Sequence, residues 1–241
     1  MASLPMVAAV MLVNGRHEMV AHAVQSFMGQ TYPQCRRYLI IWDTGEPHYA
    51  PPFVYDPCGI EIWHRQAVPT IGALRNAAIT EARSEVIVTF DSDDWSASTR
   101  IAEQVETLQS SSADLVGYNE LLFWDISRIP KHQPFEFEPP GEAWLYTGAA
   151  HEPCGTSLAF WRTTWQRHHF AEDRTRGEDL AFCREVGFRK IKSVSGIGED
   201  GEPRLIATAH AGNGIRIKCE GPNWKRVPQF DQRCREIMEA A

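Results

Sequence analysis

Three carboxylates stand within four residues at Asp91-Ser92-Asp93-Asp94. Like charge this dense, directly after an apolar segment, is costly unless cations or hydrogen-bond donors offset it. A hard divalent ion such as Mg2+ or Mn2+, held by one or two carboxylates together with substrate phosphates, would do so. A solvated acidic turn capping the next helix would do so as well, because Asp is a good N-cap. Asp43 ends another apolar run and precedes Thr44-Gly45. Its side chain can accept a hydrogen bond from a base or ribose, or fold back into an Asx-turn. Arg75, in Gly72-Ala73-Leu74-Arg75-Asn76, sits at the opening of a helix, where free amides favour anions. Its guanidinium can reach a phosphate or the acidic cluster, or lie at an ordinary surface. Glu178 and Asp179 follow Gly177 at the start of a second helix. The helix dipole suffices to stabilise both there, and either becomes a general base if it reaches a substrate hydroxyl. His210 follows an apolar strand and precedes Gly212-Asn213, a place for a structural imidazole or for a ligand.

These residues need a scaffold, and the apolar patterning supplies one. Val7 to Val13 and Tyr38 to Trp42 are short, continuous apolar runs of the kind that form buried parallel strands, with Ile60 to Trp63 and Val86 to Phe90 as further strands. Between them, Met19, Val20, Ala23, Val24, Phe27 and Met28 fall on one helical face, as do Ile71, Leu74, Ala78, Ile79 and Ala82. Ile101, Val105 and Leu108 mark a third helix, and Leu115 to Tyr118 a further strand. Asp43 and Asp91 therefore end strands, and in an open α/β sheet ligands bind beyond the carboxyl ends of the strands. Ser157 to Trp161 and Leu205 to Ala209 read as strands, Asp179 to Val186 as a helix closed by Gly187, and Asp231 to Glu239 as a C-terminal helix. Glu46 to Pro57 reads as a loop, and Ile129 to Pro140 as a long excursion over a site. The aromatics Phe123, Trp124, Phe135, Phe137, Trp144 and Tyr146 suit core and loop packing, or stacking on a sugar or base.

Composition narrows the chemistry. The 241 residues are 43% hydrophobic and 23% charged, the proportions of a soluble globular protein. The net charge of −7 disfavours nucleic acid as an electrostatic partner and suits small substrates whose charge a metal neutralises. Six scattered cysteines contain no C-x-x-C pair, and His151 with Cys154 lacks the second pair a zinc site needs. The apolar run at Val7 to Val13 is far short of the roughly 20 residues that span a bilayer, which gives an expectation of a cytoplasmic protein with no transmembrane segment.

The order of the segments is more specific than any one of them. Met11-Leu12-Val13-Asn14-Gly15-Arg16, Gln30-Thr31-Tyr32-Pro33, Ile40-Ile41-Trp42-Asp43-Thr44-Gly45, Gly72 to Asn76 and Val88 to Trp95 together resemble the family 2 glycosyltransferases of GT-A fold. The resemblance covers residues 6 to 109 and resumes at Gly155 to Trp161, Gly177 to Asp179 and His210 to Asn213. It implies an α/β GT-A domain over residues 1–241, with a Rossmann-like, mostly parallel sheet. Residues 1–119 would form the nucleotide-sugar half, 120–220 a smaller acceptor half and 221–241 a tail. It also implies a metal-dependent, inverting transfer from a nucleoside-diphosphate sugar, a UDP-sugar foremost, to an acceptor hydroxyl. By matching positions, Asp43 with Val13 and Asn14 would recognise the nucleobase, and Arg75, Asp91 and Ser92 would contact the donor. Asp93, with His210, would hold Mn2+ or Mg2+. Of Glu178 and Asp179, Asp179 would be the base. A homodimer would suit a small enzyme of this kind, and the acceptor stays unidentified. Two alternatives stand beside this reading, a sugar-phosphate nucleotidyltransferase and a non-catalytic nucleotide- or sugar-binding module. The first requires a G-x-G-T-R-like loop that Leu12 to Arg16 does not supply.

Overall fold

The computed structural model describes residues 3–50, 59–127, 141–174, 176–210 and 218–239. The excursion expected at Ile129 to Pro140 lies outside them, as does most of the loop expected from Glu46 to Pro57. In chain order the elements are β1 (Val7–Val13), α1 (His17–Met28), β2 (Arg37–Asp43), β3 (Ile60–His64), α2 (Ile71–Glu81), β4 (Val86–Thr89), β5 (Trp95–Ser96) and α3 (Arg100–Ser111). There follow β6 (Leu115–Asp125), β7 (Glu142–Thr147), β8 (Ala159–Trp161), α4 (Arg162–Arg167), α5 (Glu178–Val186), β9 (Ile191–Ser195), β10 (Leu205–Ala209), β11 (Trp224–Arg226) and α6 (Asp231–Glu239).

The main sheet path runs β11-β7-β6-β8-β4-β1-β2-β3. β1 pairs in parallel with β2 and β4, and β2 with β3. β1, β2 and β4 are almost wholly buried because both faces of this part of the sheet are covered, while β3 at its edge is half-exposed. Val7, Ala9, Met11 and Val13 point to the face packed by Val20, Val24 and Phe27 of α1 and Ile101, Val105 and Leu108 of α3. Ala8 and Val10 point to the other, against Ala78 and Ile79 of α2 and the ring cluster Phe160, Phe170 and Phe182. Phe170 and Phe182 stack with centroids 4.4 Å apart. β8 joins this half to the second one by running antiparallel to both β4 and β6.

β6 extends to Asp125, well past the Tyr118 at which its apolar run halts. Asn119 and Glu120 interrupt the run at a register shift against β9, and Leu121 to Trp124 resume it, buried. β6 also pairs in parallel with β9 and β10 and antiparallel with β7.

Two local features set the positions of the chemical groups. Thr70 caps α2 by accepting from the Ala73 amide at 3.2 Å. A Cβ at Gly72 would fall 2.1 Å from the Ala171 carbonyl oxygen, so only glycine lets α2 lie against the segment leading into α5. Asn76 rivets that contact: its Oδ1 accepts from the Phe170 amide and Trp165 Nε1, each at 3.0 Å, and its amide donates to the Phe170 carbonyl at 2.9 Å. Among the described residues no helix is long and apolar enough to cross a membrane.

Candidate active site

A cleft of about 980 Å³ opens beyond the C-terminal ends of β1, β2 and β4 and is faced by the start of α5 and by residues of β6, β7, β10 and β11. Val13, Asn14, Arg75, Asp91, Ser92, Asp93, Glu178 and Asp179 all line it. Residues as distant in sequence as Val13 and Asp179 are thus brought to one place by strand order, as the carboxyl-end rule requires.

The acidic turn is sorted by its surroundings. Asp91 takes an ion pair from Arg75 Nη2 at 3.5 Å. Burial raises its carboxyl pKa, Arg75 pulls it down, and Asp93 adds to the rise. Asp93 Oδ2 lies 2.9 Å from His210 Nε2 and 3.6 Å from Arg16 Nη1. Asp94 is different in kind. One of its oxygens accepts from the Thr208 amide at 2.9 Å and the other from the Thr156 hydroxyl. Burial, with Asp93 and Asp91 nearby, pushes its carboxyl well above the usual range. Asp94 therefore stitches the turn to β10 and to the segment before β8. Beneath the turn Arg100, wholly buried, donates to the Thr89 and Thr156 carbonyls at 2.7 and 2.9 Å, placing a cation under the carboxylates.

The donor set of Asp93 and His210 suits a divalent cation. In the structure the two groups are hydrogen-bonded at 2.9 Å, and Arg16 Nη1 stands 3.2 Å from the same His210 nitrogen; an octahedral ion with bonds of about 2.1 Å would take its ligands about 3 Å apart. A carboxylate with a neutral imidazole is compatible with Mn2+.

On the opposite wall the two acids of α5 take separate tasks. Glu178 is buried, and its Oε1 meets Arg75 Nε at 3.5 Å. Burial raises its pKa, and Arg75 opposes the rise. Arg75 thus bridges the end of β4 to the start of α5, and its Nη1 is buried without a hydrogen-bond partner. Asp179 faces the cleft, one oxygen accepting from the Leu180 amide at 2.8 Å. A Cβ at Gly155 would come within 2.1 Å of Asp179 Oδ2, so the glycine makes room for this carboxylate. Cys154 also lines the cleft, but burial, followed by the charge of Asp179, pushes its thiol up to about 12, which removes it as a nucleophile at neutral pH.

Asp43 folds back onto the Thr44-Gly45 turn, the Asx-turn alternative of the sequence. It ends β2, but its carboxylate is fully buried and does not line the cleft; Thr44 does. Its Oδ1 accepts from the Gly45 amide at 2.9 Å, and its Oδ2 from the Tyr49 amide at 2.7 Å. Nδ1 of His48 and of His64 each lie 3.2 Å from the same Oδ2. Burial works against the charge, yet the Gly45 and Tyr49 amides with His64 and His48 hold the pKa below the usual carboxylate range. Arg16, Thr44, Thr156, Lys218 and Trp224 line the cleft without having been singled out in the sequence. Phe123, Tyr146 and Trp224 form an aromatic wall, with the Trp224 ring 4.9 Å from each of the other two.

The sequence profile described as Glycosyl transferase family 2 matches residues 10–167. Among solved structures, S. aureus TarS 1-349 in complex with UDP-GlcNAc is similar at 12% identity and a TM-score of 0.59, over 90% of this chain and 60% of that chain. S. aureus TarS matches at 14% identity and a TM-score of 0.60, over 84% of this chain and 36% of that one. The mannosyltransferase PcManGT from Pyrobaculum calidifontis, in complex with GDP-Man and Mn2+, matches at 14% identity and a TM-score of 0.58, over 99% of this chain and 69% of that one. The chain thus spans 60% or less of the length of the TarS structures. At these identities the likeness is one of fold, the GT-A α/β fold. No curated protein matches the sequence at a significant level.

Proposed function

The chain belongs to glycosyl transferase family 2, and from that membership and the chemistry of the cleft we propose that it moves a sugar from a nucleoside-diphosphate sugar to an acceptor hydroxyl with inversion. The observation that carries this reading is the placement of Asp179 across one cleft from the Asp91-to-Asp93 turn. The neighbours' ligands, UDP-GlcNAc and GDP-Man, support a nucleotide-sugar donor, and a UDP-sugar is the first to try.

In the proposed reaction Asp179 accepts the proton of the acceptor hydroxyl. The freed oxygen attacks the anomeric carbon, and the bond from that carbon to the diphosphate oxygen breaks, its electron pair leaving with the nucleoside diphosphate. Asp93 with His210 would hold Mn2+ or Mg2+, which when bound supplies positive charge against the leaving diphosphate. Val13, Asn14 and Thr44, which line the cleft, would take the nucleoside. Asp91 and Ser92 contact the donor, while Arg75 presents positive charge to it and keeps Glu178 from acting as a second base. Asp43 acts from behind the wall, ordering the loop that carries Thr44. The aromatic wall of Phe123, Tyr146 and Trp224 is available to an acceptor ring.

Thermal unfolding with a panel of nucleoside diphosphates and their sugars, each with and without Mn2+, tests this proposal, since a ligand that binds only folded protein raises its stability. One nucleotide should give a metal-dependent shift, and Asp93→Ala should abolish the metal dependence. No shift with any nucleotide, from folded protein, would sink the donor reading.

A further inference from the structure

We propose that Asp43, His48 and His64 form a second metal site, separate from Asp93 and His210, that takes Zn2+ or a similarly borderline transition ion. The three offer one ligand atom each, all within 4.8 Å of one another. Both imidazoles present Nδ1, each 3.2 Å from Asp43 Oδ2. Ligands around a tetrahedral ion with bonds of about 2.0–2.1 Å stand roughly 3.3 Å apart, so both oxygen-to-nitrogen spacings match, and the two nitrogens are within 4.8 Å of each other.

Crowding at one atom is the second observation. A carboxylate oxygen has about two lone-pair sites. The Tyr49 amide uses one of those on Oδ2 at 2.7 Å, leaving one for two imidazole nitrogens. Two N–H donors cannot both be served well there. A single cation can be, since it takes a lone pair from each imidazole and the remaining one from the oxygen. The carboxylate is already oriented for this, because its other oxygen is fixed by the Gly45 amide.

The site is also accessible. The carboxylate is fully buried, but the His48 and His64 side chains are 40% and 45% exposed, with ring centroids 4.4 Å apart. The imidazole-rich donor set selects Zn2+ over Mg2+ or Mn2+. Glu46 Oε1 lies 3.9 Å from His48 Nε2, within a small rotation of the outer carboxylate contact that orients ligating imidazoles. None of the three ligands lines the cleft. The ion's role is structural: it ties the loop after β2, which carries Thr44 into the cleft, to the end of β3.

The test uses the whole chain carrying Asp93→Ala, so that the other cation position is silent. The protein is stripped with a chelator and titrated with Zn2+ against a chromophoric competitor, and in parallel with Co2+, whose visible absorption reports tetrahedral nitrogen and oxygen ligation. One equivalent should bind, and His64→Gln and His48→Gln should each weaken Zn2+ by about a hundredfold or more, beyond what loss of an outer-shell contact costs. Each variant's melting temperature without metal shows that it is folded. His48 sits in an exposed loop, so that variant stands should His64→Gln fail to fold. Absence of stoichiometric binding, or an affinity unchanged in the folded variants, would overturn the site.

Discussion

Arg75→Met isolates the ion pair that spans the cleft. Arg75 is buried between Asp91 and Glu178, with nitrogen-to-oxygen distances of 3.5 Å to each. Removing one partner of a buried pair costs about 3–5 kcal/mol, because a charge is left uncompensated. Charge-assisted hydrogen bonds of full strength are nearer 2.7–2.9 Å, and Asp91 is 31% exposed, so the lower end, about 3 kcal/mol, applies at neutral pH. For a chain of this size that corresponds to a fall of roughly 6–12 °C in melting temperature. The cost must also depend on pH. The Glu178 pKa is already raised by burial and held back by Arg75, so without the arginine it rises further. A carboxyl with a raised folded-state pKa contributes stability that is complete below its unfolded value and is lost as pH rises through the folded one. The deficit of Arg75→Met is therefore largest near pH 8 and shrinks toward about pH 5, approaching the unfolded Glu value. Urea unfolding at both pH values measures it, and Glu178→Gln in the Arg75→Met background should recover part of the loss by removing the stranded charge. An equal deficit at both pH values, or no recovery, would show that Arg75 acts through packing and not as the bridge.

The proposed base makes two further predictions. Asp179→Asn should leave nucleotide-induced stabilisation intact while lowering transfer by about 10²–10⁴, measured as sugar release and transfer rate; equal loss of binding would make Asp179 structural. Gly155→Ala should push Asp179 aside, because the new methyl would stand 2.1 Å from its Oδ2. A displacement of about 1 Å can cost about 10² in rate, so kcat should fall by that order with donor binding unchanged, and a wild-type kcat would refute the proposed fit.

The parallel half of the sheet was legible because burial on both faces writes a strand as an unbroken apolar run, as in β1 and β2. β7, β9 and β11 carry no such run. Each is partly exposed, and mixed segments such as Ile191-Lys192-Ser193-Val194-Ser195 alternate too briefly to stand out from loop. The site residues on strand ends and helix starts could be placed from motif and winding together. What sequence could not supply was the company each side chain keeps. Asp91, Asp93 and Asp94 are three of one residue type in a single turn, yet tertiary partners divide them between an arginine, a histidine and a backbone amide. His48 and His64 lie 16 positions apart on different elements, and only the parallel pairing of β2 with β3 sets them on the same oxygen.

The short strand β8 has a consequence for how such a chain can diversify. Among the described residues, the strand ladder passes from the β4-β1-β2-β3 half to β6 through three-residue β8. Everything that fixes the β4-β1-β2-β3 register precedes residue 90, whereas the aromatic wall comes from β6, β7 and β11 at the other side of the sheet. Insertions between β6 and β7, or a replaced β11, add material at a margin and leave the parallel register untouched. On the proposed function, acceptor preference could then be exchanged like a fitting, while the residues proposed for the donor at the ends of β1 and β4 keep their places.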